Sequence, residues 1–232
     1  MFVNAIKKVK KAAFPIFRIE KIEQNQTMKI GVCGTGFFID SNGMFATVAH
    51  IFDDRNENTQ FCYWGLLPEN LINPWITVQE YRRDDDKDIF IGKVSIQNND
   101  FLQLASGLPD TGKSVCIMGY PLAVITQNQS GGAELGGVRR YFQPSFVLDN
   151  ANSKSVSLTG KFRTHDGFLV RDFGLFGMSG GPVIDIDGTV WGIQASVTNP
   201  RVSEGPGGRK ISVENAIAIK ADNIKAQLEN VS

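Results

Sequence analysis

The residues with the clearest chemical potential lie in Phe176-Gly177-Met178-Ser179-Gly180-Gly181-Pro182, where a serine sits among glycines just ahead of an apolar run. Such a turn can expose the hydroxyl while neighbouring backbone N–H groups point the same way. Acyl transfer needs both features, an accessible nucleophile and fixed donors where an oxyanion forms. On its own, a glycine-rich turn before a strand is more often structural. A serine hydroxyl also needs a base, and the chain holds only two histidines. His50 closes the apolar run Phe45-Ala46-Thr47-Val48-Ala49, whereas His165 lies in Arg163-Thr164-His165-Asp166-Gly167, which reads as a polar turn. A carboxylate must then orient the imidazole and stabilise its cation. Asp88 opens the run Ile89-Phe90-Ile91 and can be held in the interior, while Asp84, Asp85 and Asp86 read as a solvated turn. The order His50, Asp88, Ser179 is thus available, spaced by 38 and 91 residues.

Placing these groups requires strands. From Ile16 onward, short β-type runs alternate with turn residues. Gly36-Phe37-Phe38-Ile39, the turn Asp40-Ser41-Asn42-Gly43 and Met44-Phe45-Ala46-Thr47-Val48 read as one hairpin. Pro182-Val183-Ile184-Asp185-Ile186, Asp187-Gly188 and Thr189-Val190-Trp191-Gly192-Ile193 read as another. No long helical pattern interrupts residues 28–219, so βαβ architectures are excluded. Phe2, Ile6, Val9 and Ala13 share one face of a short helix over 2–13 that Pro15 ends. That helix reads as a leader packed on the domain, with a weak membrane-surface anchor as the alternative. Near the end, Asn215-Ala216-Ile217-Ala218-Ile219 reads as a last strand. Asp222 then N-caps a helix from Asn223 to Glu229 with Ile224 and Leu228 on its buried side. Gln127–Gly137 and Asn199–Gly208 read as exposed loops.

Composition narrows the function classes. Lysine plus arginine and aspartate plus glutamate are each 24, which argues against a broad nucleic-acid-binding surface. Apolar residues make up 42% and charged residues 21%, a globular composition. The 24 glycines and 16 phenylalanines suit an all-β protein with many tight turns. Cys33, Cys62 and Cys116, three at irregular spacing, support neither a disulfide framework nor a zinc site and read as buried, inert thiols. No run reaches the ~18 apolar residues of a membrane span. The lysines at 7, 8, 10 and 11 are followed by no apolar signal core, so the expected location is cytoplasmic.

Thr47-Val48-Ala49-His50, Asp88-Ile89-Phe90-Ile91 and Gly177-Met178-Ser179-Gly180-Gly181-Pro182 together resemble the three signatures of trypsin-like, chymotrypsin-fold serine peptidases. The detail is closer to the bacterial HtrA (Deg-like) protease domain. Gly34-Thr35-Gly36-Phe37, Gly188-Thr189-Val190-Trp191-Gly192-Ile193 and the 215–219 strand with its helix are each similar to segments of those domains. The resemblance covers roughly residues 28–229. It implies two six-stranded antiparallel β-barrels, over about 16–105 and 106–215, after an N-terminal basic leader over 1–15 and before a C-terminal segment over 216–232 carrying a short helix. It implies a Ser179 nucleophile, a His50 base, an Asp88 orienting group and an oxyanion hole of the Gly177 and Ser179 N–H groups, with no metal or cofactor.

The sequence also departs from that family. Met178 replaces the aspartate that pairs with a newly cut N-terminus in digestive members, so activation by that ion pair is not expected. Phe90 replaces a usually small residue and is expected to crowd the site, with Asp86 as the alternative carboxylate. Ile51 after His50 leaves no disulfide there, in keeping with a reducing compartment. No PDZ domain is expected after residue 229, so regulation through such a domain is not expected. Phe173, six residues before Ser179, is expected at the pocket floor and favours an apolar P1 side chain. The strand Gln194-Ala195-Ser196-Val197 is expected to bind the substrate backbone. The partners are then a protein or peptide substrate and an activating partner that orders the loops at 127–137 and 199–208. The competing reading is an inactive trypsin-fold module that binds peptides.

Overall fold

The computed structural model describes residues 1–22, 27–53, 61–67, 74–96, 100–121, 124–127, 133–156, 160–198, 201–202, 211–212 and 215–229. Helix α1 (Val3–Ala12) leads directly into strand β1 (Ala13–Ile22). The helix ends before Pro15, which lies inside β1 and not at a helix stop. Phe2, Ala5, Val9 and Ala12 are buried, so the apolar face of α1 is used up by the domain itself. Lys8 donates to the Asp187 carbonyl at 3.0 Å and Lys11 lies 3.8 Å from Asp100.

The first half continues through β2 (Thr27–Phe38), β3 (Met44–Thr47), β4 (Phe61–Leu66), β5 (Trp75–Thr77), β6 (Gln79–Asp84) and β7 (Ile89–Lys93). These seven form one antiparallel sheet in the order β5-β4-β1-β2-β3-β7-β6. The two ends of that order, β5 and β6, are joined through Val78 alone, whose N–H reaches the Tyr63 carbonyl at 3.0 Å. They act as one bent strand shared by β4 and β7, which closes the sheet into a barrel of six. Asp40 shapes the β2–β3 hairpin by accepting from the Asn42 and Met44 N–H groups at 2.9 and 2.8 Å. Phe14, Phe38, Phe45 and Phe90 fill the interior with tilted and edge-on rings.

The second half holds β8 (Ser114–Gly119), β9 (Val124–Gln127), β10 (Ala133–Gly137), β11 (Tyr141–Val156), β12 (Phe162–Val170), β13 (Pro182–Ile184), β14 (Val190–Thr198), β15 (Arg201–Val202), β16 (Ile211–Ser212) and β17 (Asn215–Lys220). Six of these close a barrel in the order β11-β12-β17-β14-β13-β8. The chain therefore has the chymotrypsin-like double barrel with a short C-terminal helix. The two segments expected as loops contain paired strands, β9 with β10 and β15 with β16. Their tips, 128–132 and 203–210, lie outside the described residues.

Helix α2 (Ala221–Glu229) starts two residues earlier than its sequence suggests. Asp222 sits inside its first turn, and its carboxylate accepts the Gly107 N–H at 2.8 Å instead of capping the helix. Buried Ile224 joins a core that runs unbroken from α1 through the first barrel to Met118 and Ile193 of the second. No helix is long and apolar enough to cross a membrane among the described residues.

Candidate active site

His50 follows β3 on a single 3-10 turn, Ala49–Phe52. Phe52 of that turn stacks on Phe90 at 4.0 Å between ring centroids, so Phe90 points into the barrel and supports the turn from below. The expected crowding of the site by Phe90 does not occur, because its ring packs against Phe45 and Phe52 in the barrel interior.

Asp88 lies at the start of β7 in the left-handed backbone region, with φ 57°, the sole non-glycine residue there among the described residues. That conformation is costly for a residue with a Cβ and persists only when surroundings fix it. Here they do. The His50 N–H donates to Oδ1 at 2.8 Å, and the His50 ring Nδ1 lies 2.8 Å from Oδ2. The Ala49 N–H reaches the Asp88 carbonyl at 3.2 Å. Imidazole and carboxylate are thus locked side by side, with Nδ1 as the donor and Nε2 left for other chemistry. Asp86, the alternative carboxylate, is exposed, and its carbonyl accepts the Thr164 N–H at 2.7 Å.

Asp88 has two further partners that the sequence reading missed. His165 is not in a polar turn but inside β12, 2% exposed, with Nε2 3.3 Å from Asp88 Oδ2. Arg163, two residues earlier on the same face of that strand, places Nε 3.1 Å from Oδ1. Their alternation, Arg163 and His165 inward, was visible in the sequence. Reading Asp166-Gly167 as a turn hid it. Burial alone would raise the Asp88 carboxyl, but hydrogen bonds from His165 and His50 and the charge of Arg163 hold it well below the usual carboxylate range.

Ser179 is half-buried at the mouth of the second barrel. Its turn is fastened to the first barrel by Thr35 of β2. The Thr35 N–H donates to the Ser179 carbonyl at 2.8 Å, and its hydroxyl donates to the Gly177 carbonyl at 2.8 Å. The Thr35 carbonyl accepts the Thr47 hydroxyl at 2.7 Å, three residues before His50. Gly34 packs so closely that a Cβ there would lie 2.8 Å from the Ser179 carbonyl and 2.9 Å from Ile51 Cγ2. Ser179 and the His50 turn therefore share one wall. Gly177 and Gly180 adopt φ 92° and 84°, and a Cβ on Gly180 would overlap the Thr47 hydroxyl. Among the described residues, neither the Gly177 nor the Ser179 N–H has a backbone acceptor, and neither the Ser179 hydroxyl nor His50 Nε2 is engaged. Met178 is fully buried in the second barrel's core and anchors the turn there.

The remaining expected residues divide. Phe173 is 46% exposed, and Gly174 beside it packs against the Gln194 amide and Val197 Cγ1 of β14. Val197 is exposed and Ser196 half-buried, whereas Gln194 and Ala195 are buried. The Gln194 main chain is already paired, its N–H with the Gly181 carbonyl at 2.9 Å and its carbonyl with the Gly180 N–H at 2.8 Å. Gln194 thus holds the Ser179 turn and has no main-chain group to offer a ligand. Cys33 and Cys116 are poor nucleophiles, because burial pushes their thiols up to about 12. Cys62, expected to be buried, is exposed on β4.

Residues 34–193 match the family model described as the trypsin-like peptidase domain. The chain belongs to this family. The trypsin-like fold is matched over the whole chain by the Rv3671c protease of M. tuberculosis in its active form, at TM-score 0.68 and 19% identity, covering 100% of this chain and 86% of that one. A serine-to-alanine mutant of Rv3671c in an inactive form matches at TM-score 0.64 and 18% identity, covering 99% of this chain and 91% of that one. No curated protein sequence matches the chain significantly. The trypsin-like domain accounts for both barrels and for the position of the Ser179 turn between them.

Proposed function

We propose that this peptidase-family chain is a serine endopeptidase using Ser179, His50 and Asp88. The observation that carries the reading is the double link between His50 and Asp88 beside a nucleophile turn fastened to the same wall. Asp88 holds Nδ1–H and so leaves the Nε2 lone pair facing outward, where it can take the Ser179 proton. Ser179 Oγ then attacks the peptide carbonyl, and the oxyanion settles between the Gly177 and Ser179 N–H groups, which have no backbone acceptor to displace. His50 returns the proton to the leaving amine, and water repeats the sequence in reverse roles to release the acyl group.

An apolar P1 side chain is favoured, because Phe173, Phe176 and Val197 expose large apolar groups on the segments that flank the Ser179 turn. The free edge of β14 begins beyond Gln194, where β13 no longer pairs with it, and a substrate strand adds there. Digestion of an unfolded protein, with fragments sequenced by mass spectrometry, tests this beside Ser179→Ala. New C-termini ending in apolar residues, absent with Ser179→Ala, are expected. Cleavage after Arg or Lys would overturn the specificity, and equal digestion by Ser179→Ala would overturn the peptidase reading.

A further inference from the structure

Among the described residues, a further cluster of charged and polar side chains lies behind Asp88. Arg163 and His165 are 3% and 2% exposed and come from β12 of the second barrel, whereas Asp88 and His50 belong to the first. Arg163 also pairs with Asp53, its Nη2 being 2.9 Å from Oδ2, and lies 3.6 Å from Asp85. Asp53 and Asp85 are in turn held by Arg83, at 2.9 and 2.7 Å, and by Lys161, at 3.4 and 3.0 Å. Among the described residues, Asp88, Asp53 and Asp85 face Arg163, Arg83 and Lys161. Of the other acids of this loop, Asp86 is exposed, and Asp84 is engaged by the Gln227 amide of α2 at 2.6 Å and by the Lys87 N–H at 2.9 Å.

His165 Nε2 lies 3.3 Å from Asp88 Oδ2, and its Nδ1 is buried without a partner. Arg163 supplies the positive charge beside Asp88. No reacting group needs either residue, and a buried ion pair is by itself weak evidence of a stabilising role.

We propose that Arg163 and His165 are positioning residues: from the second barrel they fix the Asp88 carboxylate in its strained backbone setting, and the Arg163 charge offsets that of Asp88 beside the His50 ring. This rests on the peptidase reading for its consequence, but not for its test. In the resting cluster, part of the Asp88 charge is answered by Arg163. Removing that cation leaves Asp88, Asp53 and Asp85 against Arg83 and Lys161, an excess of one negative charge beside the His50 ring. His50 should then hold its proton to higher pH.

Because the chain has two histidines, an NMR titration of the imidazole signals resolves each one. The proteins compared are the full-length wild type, Arg163→Met, Arg163→Lys and His165→Phe, all checked for folding by thermal melts. The His50 midpoint should rise by roughly one pH unit in Arg163→Met. It should stay near wild type in Arg163→Lys, which keeps the charge. In His165→Phe, which leaves the Arg163 charge in place, the midpoint should hold while the low-field Nδ1–H signal of the His50–Asp88 bond broadens. An unchanged midpoint in a folded Arg163→Met, or an unchanged Nδ1–H signal in His165→Phe, overturns the proposal. If Arg163→Met does not fold, an Arg163→Gln variant gives the same reading, the shift again deciding. Labelling of Ser179 by a fluorophosphonate probe is measured in parallel. Its failure in a wild type whose His50 shift behaves as stated counts against the peptidase reading and leaves the positioning roles standing.

Discussion

Thr35 and Gly177 are joined by a hydrogen bond of 2.8 Å between the Thr35 hydroxyl and the Gly177 carbonyl, made by residues 142 positions apart on the two barrels. The same hydroxyl accepts the Tyr120 N–H at 3.1 Å, so one buried side chain ties the nucleophile turn and the end of β8 to β2. The turn carrying Ser179 is thus part of the barrel–barrel contact. Its geometry depends on how the first barrel folds.

Thr35→Val keeps the shape of the side chain but leaves the Gly177 carbonyl and the Tyr120 N–H without their buried partner. Such groups cost about 1–3 kcal/mol when orphaned. Urea unfolding should show a loss of that size, and fluorophosphonate labelling of Ser179 should slow although Thr35 touches no substrate. Wild-type values in both would show that the hydroxyl does not hold the turn.

Gly180→Ala meets two obstacles together, a φ of 84° and a Cβ placed against the Thr47 hydroxyl and the Thr35 carbonyl. The strain should exceed about 1 kcal/mol. The turn can relieve it by moving Ser179 away from the His50 wall. A lowered melting temperature with loss of Ser179 labelling is the expected pair of results. Full labelling would mean the wall tolerates the methyl group and is looser than described.

Acid stability follows from the buried carboxyls. Burial alone would raise Asp185, yet the Trp191 N–H at 2.8 Å, the Thr189 and Asp187 N–H groups and nearby Lys113 hold it below its ordinary value. Asp88 is lowered for the reasons given above. A carboxyl lowered in the folded state adds stability above its unfolded value, near 4, and that stability drains as pH falls toward the folded value. The unfolding free energy should decline from about pH 5 to pH 2, and less steeply in Asp185→Asn. A flat profile, or equal slopes for the two proteins, would contradict this.

Much of the architecture was legible because local signals agreed with it. Asp40 and Asp185 each cap a hairpin turn with their own carboxylate, and the flanking apolar runs are the strands those turns require. His50, Asp88 and Ser179 were legible because each stands beside a recognisable strand or turn. What escaped depends on contacts between distant segments. His165 looked like a turn residue because Asp166-Gly167 follows it. Its strand is set instead by pairing with β11 and β17, Gly167 lying against the Ala218 carbonyl of β17, where a side chain would not fit. Phe90 looked too large because sequence does not reveal which way a strand residue points. Gln194 looked available to substrate because its pairing with Gly180 and Gly181 is a tertiary contact.

The central claim, that Ser179 is a nucleophile served by His50, is tested most directly by one experiment. Purified protein is treated with a fluorophosphonate probe beside Ser179→Ala and His50→Ala, and the labelled residue is located by mass spectrometry. The account predicts a single adduct on Ser179 in the wild type, none on Ser179→Ala, and a rate lowered by several orders of magnitude in His50→Ala. An adduct on another residue, or wild-type labelling that survives in His50→Ala, would contradict it.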